Sequence, residues 1–135
     1  MSLLIPEKFL DLFSRPILCG ITTINPDGHP HSVPVWCDYD GTHVRVNFRM
    51  GTKKVRNIKA DGKLCLLVID PQNAGHWIEI QGHAAELIGE EHGARKHINQ
   101  LSQKYTGNPV YKPYGAGSSQ DRLMVVIEAI KINGT

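Results

Sequence analysis

Residues 44–70, VRVNFRMGTKKVRNIKADGKLCLLVID, constrain the fold more than any other stretch. Val44, Val46 and Phe48 alternate with Arg45 and Asn47, which is the period-two pattern of a strand with one face buried. The strand runs into Gly51-Thr52-Lys53-Lys54. A short basic helix follows over about residues 52–60, with Val55 and Ile58 as its inward stripe. Lys63–Asp70 is nearly all apolar and reads as a buried strand. A strand, a tight turn, a short helix and a strand within 27 residues leave little room for anything but a small, sheet-dominated domain.

The same turn carries the charge of the chain. Residues 49–63 hold Arg49, Lys53, Lys54, Arg56, Lys59 and Lys63 against the single acid Asp61, a net +5. The chain as a whole is +2, so everything else sums to −3. A nucleic-acid surface should spread over a face or dominate the net charge, and base stacking needs aromatic residues among the basic ones. Residues 49–63 contain no Phe, Tyr or Trp, so no nucleic-acid partner is expected. The cluster reads either as a solvated basic helix face or as a local anion site. Lysines in a first helical turn oppose the helix dipole. A bound phosphate reverses that sign, because the N–H groups at the helix start and the lysines then converge on one anion.

The rest of the chain fits the same architecture. Pro6 and Glu7 suit a first helical turn, and Ile5, Phe9, Leu12 and Phe13 recur at helical spacing, predicting a helix over 6–14. Ile17–Ile24 reads as a strand, and Asn25-Pro26-Asp27-Gly28 as a turn. The next strand, His31–Tyr39, is interrupted by Pro34 and preceded by Pro30, which pushes it to an edge, a bulge or a ligand-facing position. Asp40-Gly41 marks a hairpin. Trp77–Ile88 is a long strand with a bend expected at Gly82. Glu90–Tyr105 is a second helix with Ala94, Ile98, Leu101 and Tyr105 as its apolar stripe, and Leu123–Ile132 is a last strand. Six strands, mostly antiparallel, with a few outer helices predict one mainly β barrel domain over residues 1–135.

The length suits one domain, and the apolar runs are far too short to span a bilayer. The N-terminus lacks the basic start and apolar stretch of a secretory signal. Cys19, Cys37 and Cys65 are widely spaced among apolar neighbours and read as reduced, buried or half-buried thiols in a cytoplasmic protein without a membrane partner. His29 and His31 share a strand face but lack zinc-like company, and His92 and His97 read as solvated, so no metal is expected. Residues 106–120 are rich in Gly, Pro and Ser. They form a long loop in which Tyr111 and Tyr114 are candidates for a substrate lid.

Four motifs in this order carry a resemblance: Asn25-Pro-Asp-Gly28, Pro34-Val-Trp36 followed by Asp38-Tyr-Asp-Gly41, Gly51-Thr-Lys-Lys-Val-Arg-Asn57, and Ile78-Glu-Ile-Gln-Gly82. The chain resembles the pyridoxamine 5′-phosphate oxidase-like family of FMN-binding split β-barrels, and within it the small members that use coenzyme F420. The resemblance covers nearly the whole sequence. It implies a homodimer with the cofactor, F420 or FMN, in a groove at the subunit interface. Ser32, Val33, Pro34, Val35 and Trp36 would run along the ring, and Asn47 and Phe48 would flank the ring and the chain attached to it. Gly51, Thr52, Lys53 and Lys54 would hold the phosphate, with Lys54 at the family's basic position. Arg56 and Asn57 complete the motif, Arg56 being equally suited to pair with an acid, and Trp77 would touch the ring.

The resemblance further implies an oxidoreductase that moves hydride to or from a small conjugated or carbonyl-bearing molecule. The alternative is a non-catalytic flavin- or haem-binding split barrel. Hydride chemistry belongs to the cofactor, which agrees with the lack of any convincing nucleophile or acid–base pair. Thr52 stands where many relatives have Arg. It keeps a hydroxyl donor but loses a bidentate fork, so the choice between FMN and F420 stays open.

Overall fold

The computed structural model describes residues 2–112 and 121–135. Seven strands form one sheet: β1 (Cys19–Ile24), β2 (Pro30–Val35), β3 (Cys37–Tyr39), β4 (Val44–Arg49), β5 (Lys63–Ile69), β6 (Trp77–Ile88) and β7 (Arg122–Gly134). Their order is β2-β1-β5-β6-β7-β4-β3, and every pairing is antiparallel. The two edge strands, β2 and β3, are consecutive in the chain and joined through Trp36 alone. A one-residue link forces the edges together, so the sheet curls into a split barrel whose seam is at Trp36.

That seam corrects the expected strand count. Six strands were predicted because His31–Tyr39 reads as one; it is two, broken at Trp36, where the chain leaves one edge of the sheet and joins the other. The expectation that prolines place this region at an edge holds, since Pro30 and Pro34 both lie in edge strand β2. The first strand begins at Cys19 and not at Ile17. The segment expected as a helix over 6–14 is a 3₁₀ turn, Glu7–Phe9, followed by α1 (Asp11–Ser14). The second expected helix is likewise divided. Gly93 at φ 136° separates a 3₁₀ turn, Glu90–His92, from α3 (Ala94–Thr106), because that backbone angle cannot continue a right-handed helix. The basic helix is α2 (Lys53–Ala60).

The core is the inside of the curled sheet. Ile21, Val46, Phe48, Leu66, Val68, Ile78, Ile80 and Ile127 are buried, and Leu12 and Phe13 of α1 close one end. Side chains of this kind each contribute roughly 1.5–3 kcal/mol when fully buried. Gly82 sits where the β6–β7 register shifts, so the bend expected there is a bulge. A methyl group at Gly82 would fall on the Glu128 carbonyl of β7, which is why the two strands need a glycine at this crossing.

Candidate functional site

The end of β4, the start of α2 and the start of β7 surround a cleft of about 460 Å³. Leu18, Pro34, Val35, Trp36, Asn47, Phe48, Arg49, Thr52, Lys54, Ile98, Tyr111 and Arg122 line it. Half of the residues singled out from the sequence therefore converge: Pro34, Val35, Trp36, Asn47, Phe48, Thr52 and Lys54.

One end of the cleft is cationic. Arg49 closes β4 and Arg122 opens β7, and they face each other directly in the ladder. Like charges in that relation repel. Lys54 adds a third cation from the first turn of α2, its ammonium 5.1 Å from the centre of the Phe48 ring. Burial first, and then the charges of Arg122 and Arg49, push the Lys54 ammonium below its usual value. No carboxylate lines the cleft among the described residues. Thr52 caps α2 by position but makes no side-chain cap hydrogen bond; its hydroxyl donates instead to the Arg49 carbonyl at 2.9 Å. The uncapped first turn of α2 therefore lies beside the three cations. This donor set fits a phosphate.

The other end is aromatic and apolar. Trp36 stacks on Tyr105 with ring centres 5.0 Å apart and planes 11° from parallel, and Tyr111 meets Trp36 edge-on at 6.0 Å. Pro34, Val35, Leu18 and Ile98 complete a flat wall.

A buried polar chain fixes the geometry between the two ends. Asn47 Oδ1 accepts from Arg122 Nε at 2.8 Å, while Asn47 Nδ2 donates to the Ala94 carbonyl at 3.0 Å and to His97 Nδ1 at 3.1 Å. Because Nδ1 accepts, the ring proton is on Nε2, which donates to Asp38 Oδ1 at 3.1 Å. Asp38 also holds Arg45 at 2.9 and 2.7 Å. Burial acts to raise the Asp38 carboxyl, but the hydrogen bonds from His97 and Arg45 outweigh it and hold it at about 2. Each polar atom of this chain has one available role, so Arg122 is aimed at the cleft by a rigid support.

Several expected residues stand elsewhere. Arg56 is exposed and donates to the Gly51 carbonyl at 2.9 Å, bracing the turn; it pairs with a carbonyl and not an acid. Gly51, at φ 83°, supplies the left-handed step that starts the turn. Asn57 is buried and donates to Thr23 Oγ1 at 3.0 Å and Asn25 Oδ1 at 2.9 Å, anchoring α2 to the first turn of the sheet. Lys53 is exposed, and Val33 packs against the core. Ser32 bonds Thr22 on the outer face of the sheet, and Trp77 lies on that face opposite Ile69. None of these seven lines the cleft. The expectation that His97 is solvated is overturned: it is 1% exposed and central to the support. Tyr111 lines the cleft, and its ring carries Arg122 at 4.9 Å. Tyr114, the other lid candidate, lies outside the described residues. Arg122 escaped the sequence reading, although a lone arginine opening the run LMVVI was its signal.

No helix among the described residues is long and apolar enough to cross a membrane. Among solved structures, the chain is similar to an F420 reductase at 29% identity, with a TM-score of 0.81, covering 96% of this chain and 98% of that one. It shares the fold of the haem storage protein HutZ from Vibrio cholerae, at 8% identity and a TM-score of 0.68, covering 98% and 95%. A conserved Mycobacterium tuberculosis protein of unassigned function is similar in fold as well, at 18% identity and a TM-score of 0.69, covering 97% and 84%. No curated protein sequence matches the chain. The sequence pattern of pyridoxamine 5′-phosphate oxidase matches residues 5–135, the curled sheet is the split barrel of that family, and the chain belongs to it.

Proposed function

We propose that this protein is an oxidoreductase that binds a flavin or deazaflavin, F420 or FMN, in the cleft and transfers hydride to or from a small conjugated or carbonyl-bearing molecule. The observation that carries the proposal is the Arg49–Arg122 pair with Lys54 beside it, in a cleft also lined by Trp36 of the Trp36–Tyr105 stack, with Tyr111 bridging the two groups. Three cations without an acid among the described lining residues favour an anionic ligand group, and the flat apolar wall favours a ring. A bound cofactor of this class supplies the hydride chemistry. The chain's own part is to clamp the phosphate with Arg49, Lys54 and the first turn of α2, to seat the ring on Pro34–Trp36, and to exclude water with Tyr111.

The likeness to an F420 reductase favours F420 over FMN. A haem carrier is the competing reading. The described residues of the cleft offer an iron no His, Cys or Met; Tyr111 is the one haem-ligand type among them, and its ring is engaged by Arg122, which favours the flavin class.

We further propose that the protein acts as a homodimer. Gly20 and Thr22 of β1, Pro34 and Ser32 of β2, Leu67 and Ile69 of β5 and Trp77 of β6 share the outward face of adjoining strands by register. Leu67 is 40% exposed and Ile69 43%. Leu18, 62% exposed, lines the cleft nearby. A second copy on this face would cover these apolar groups and bring the expected ring contact Trp77 to a neighbour's cleft.

The deciding experiment is an absorbance and mass analysis of any small molecule that co-purifies, with titrations of F420, FMN and haem. Binding of F420 or FMN with reduction of a carbonyl or enone substrate supports the enzyme. Tight haem binding with neither flavin bound would overturn it.

A further inference from the structure

Cys19 opens β1 and Cys37 opens β3, and their sulfur atoms are 3.0 Å apart. Both are free thiols, 2% and 0% exposed. Their strands are not partners in the sheet: β1 pairs with β2 and β5, whereas β3 pairs with β4. The two thiols therefore meet across the seam of the barrel, where among the described strands no ladder joins the edges. A disulfide bond is about 2.05 Å long, so roughly 1 Å of approach would close one.

The surroundings separate the two thiols by role. The contact from Cys37 lowers Cys19 first, burial opposes it, and the Tyr105 hydroxyl at 3.9 Å and the Lys104 ammonium add to the lowering. The same contact, with burial, raises Cys37. Lys104 is held over the pair by donating to the Cys37 carbonyl at 2.7 Å and to the Phe13 carbonyl. Tyr105 donates to the Ile17 carbonyl at 2.7 Å and accepts from the Cys37 amide at 3.2 Å, while its ring backs Trp36 at the cleft. Cys65 stands apart, half-buried on β5, with its thiol raised by burial first and then by Glu79.

We propose that Cys19 and Cys37 form a reversible dithiol–disulfide site, oxidised by hydrogen peroxide or a small hydroperoxide, that staples the barrel seam behind Trp36. The Cys19 thiolate attacks one peroxide oxygen and the O–O bond breaks. The leaving hydroxide takes up the proton that Cys19 released and departs as water, so Cys19 becomes a sulfenic acid. The Cys37 sulfur then attacks the Cys19 sulfur, the S–O bond breaks, and the departing hydroxide takes the Cys37 proton as a second water. Two thiols lose two electrons and one peroxide gains them. Local opening of the unladdered seam would admit a small peroxide without unfolding the sheet.

The test treats the full-length protein with hydrogen peroxide, denatures it, alkylates it and maps it by mass. Three alkylated cysteines are expected before oxidation. Afterwards the protein should be about 2 Da lighter before alkylation, only Cys65 should be alkylated, and a Cys19–Cys37 cross-linked peptide should appear, with full reversal by dithiothreitol. Cys37→Ser should instead yield a Cys19 sulfenic acid trapped by dimedone, and Cys19→Ser neither product. Retention of three alkylated cysteines in the peroxide-treated wild type, or a disulfide that uses Cys65, would overturn the proposal whether or not either variant folds.

Discussion

Arg49 and Arg122 face each other at the open end of the β4–β7 ladder, two guanidinium groups in the one sheet relation where like charges meet most directly. Arg122 can sit there because Asn47 accepts from its Nε and the Glu90 carboxylate takes its backbone amide at 2.9 Å. Arg49 is exposed. The phosphate proposed above would bring an anion to this end of the ladder.

Arg49→Gln should therefore separate binding from stability. A charge-assisted hydrogen bond contributes about 1.5–3 kcal/mol, so FMN or F420 affinity should fall roughly tenfold to a hundredfold. Riboflavin, which has the FMN ring and chain but no phosphate, should change little. The ligand-free midpoint in urea should stay level or rise, because a repulsion has been removed. Equal loss for FMN and riboflavin in the titrations would contradict a phosphate contact.

Lys54 gives the site a pH dependence whose sign is fixed by its neighbours. Its ammonium is depressed by burial, Arg122 and Arg49. A bound phosphate favours the charged form, so binding takes up protons once the pH reaches that depressed value. Affinity should be flat below it and fall as the pH rises through it. Lys54→Ala should bind weakly and lose that alkaline slope, as isothermal titration across pH would show; a slope that survives in the variant would point to another group.

Much of this site was legible in the sequence, and what was not shares a cause. Lys54 follows from a turn motif and the charge gathered around it, while Asn47 and Phe48 were expected through the family resemblance, which itself rests on short local motifs. Asn47 also had to be polar on a face that α3 covers, since its amide donates to the Ala94 carbonyl. Arg122 became a site residue only through its register with Arg49, and strand register between distant segments is not a local property. His97 was within reach: it lies three residues after Ala94 and four before Leu101, on the apolar stripe already identified. A polar side chain on such a stripe must be buried with partners, and it has two. The merging of β2 and β3 into one expected strand failed for the opposite reason, because nothing local distinguishes Trp36 as a crossing from edge to edge.

The outward face of β1, β2, β5 and β6 sets the expected oligomer. Leu67→Lys places a charge amid Ile69, Pro34 and Leu18, and should shift the mass in solution from twice 15.0 kDa to 15.0 kDa without loss of fold. Analytical ultracentrifugation checks this. A wild-type chain that sediments as a monomer would remove the dimer and the role proposed for Trp77.

Gly82 should tolerate no side chain. Its Cβ would land on the Glu128 carbonyl, a backbone atom in the middle of the β6–β7 ladder that no rotamer change can move. Gly82→Ala should cost about 3 kcal/mol or more, seen as a large drop in the urea midpoint. Gly89, with nothing within 4 Å of an added methyl, is the control, and Gly89→Ala should be close to neutral.

His76 ties three elements together, and its contribution has a definite sign with pH. Nε2 lies 3.0 Å from Asp11 Oδ1 of α1 and Nδ1 3.0 Å from the Thr135 carbonyl; both partners only accept, so the ring holds both when it is protonated. The hydrogen bond to Asp11, and then the one to Thr135, raises the folded-state value above the unfolded 6.5. A raised histidine stabilises fully below the unfolded value, and the stabilisation disappears as the pH climbs through the folded one. The Arg15–Asp70 pair beside it behaves oppositely. The Arg15 hydrogen bond holds Asp70 at about 2, so its contribution is complete at neutral pH and is lost only as the pH falls towards that value. Urea midpoints of the wild type and His76→Gln should therefore differ most near about pH 5.5 and converge by about pH 9. A gap that stayed constant over that window would mean that the ring acts through its stacking on Phe9, at 6.0 Å, and not through its charge.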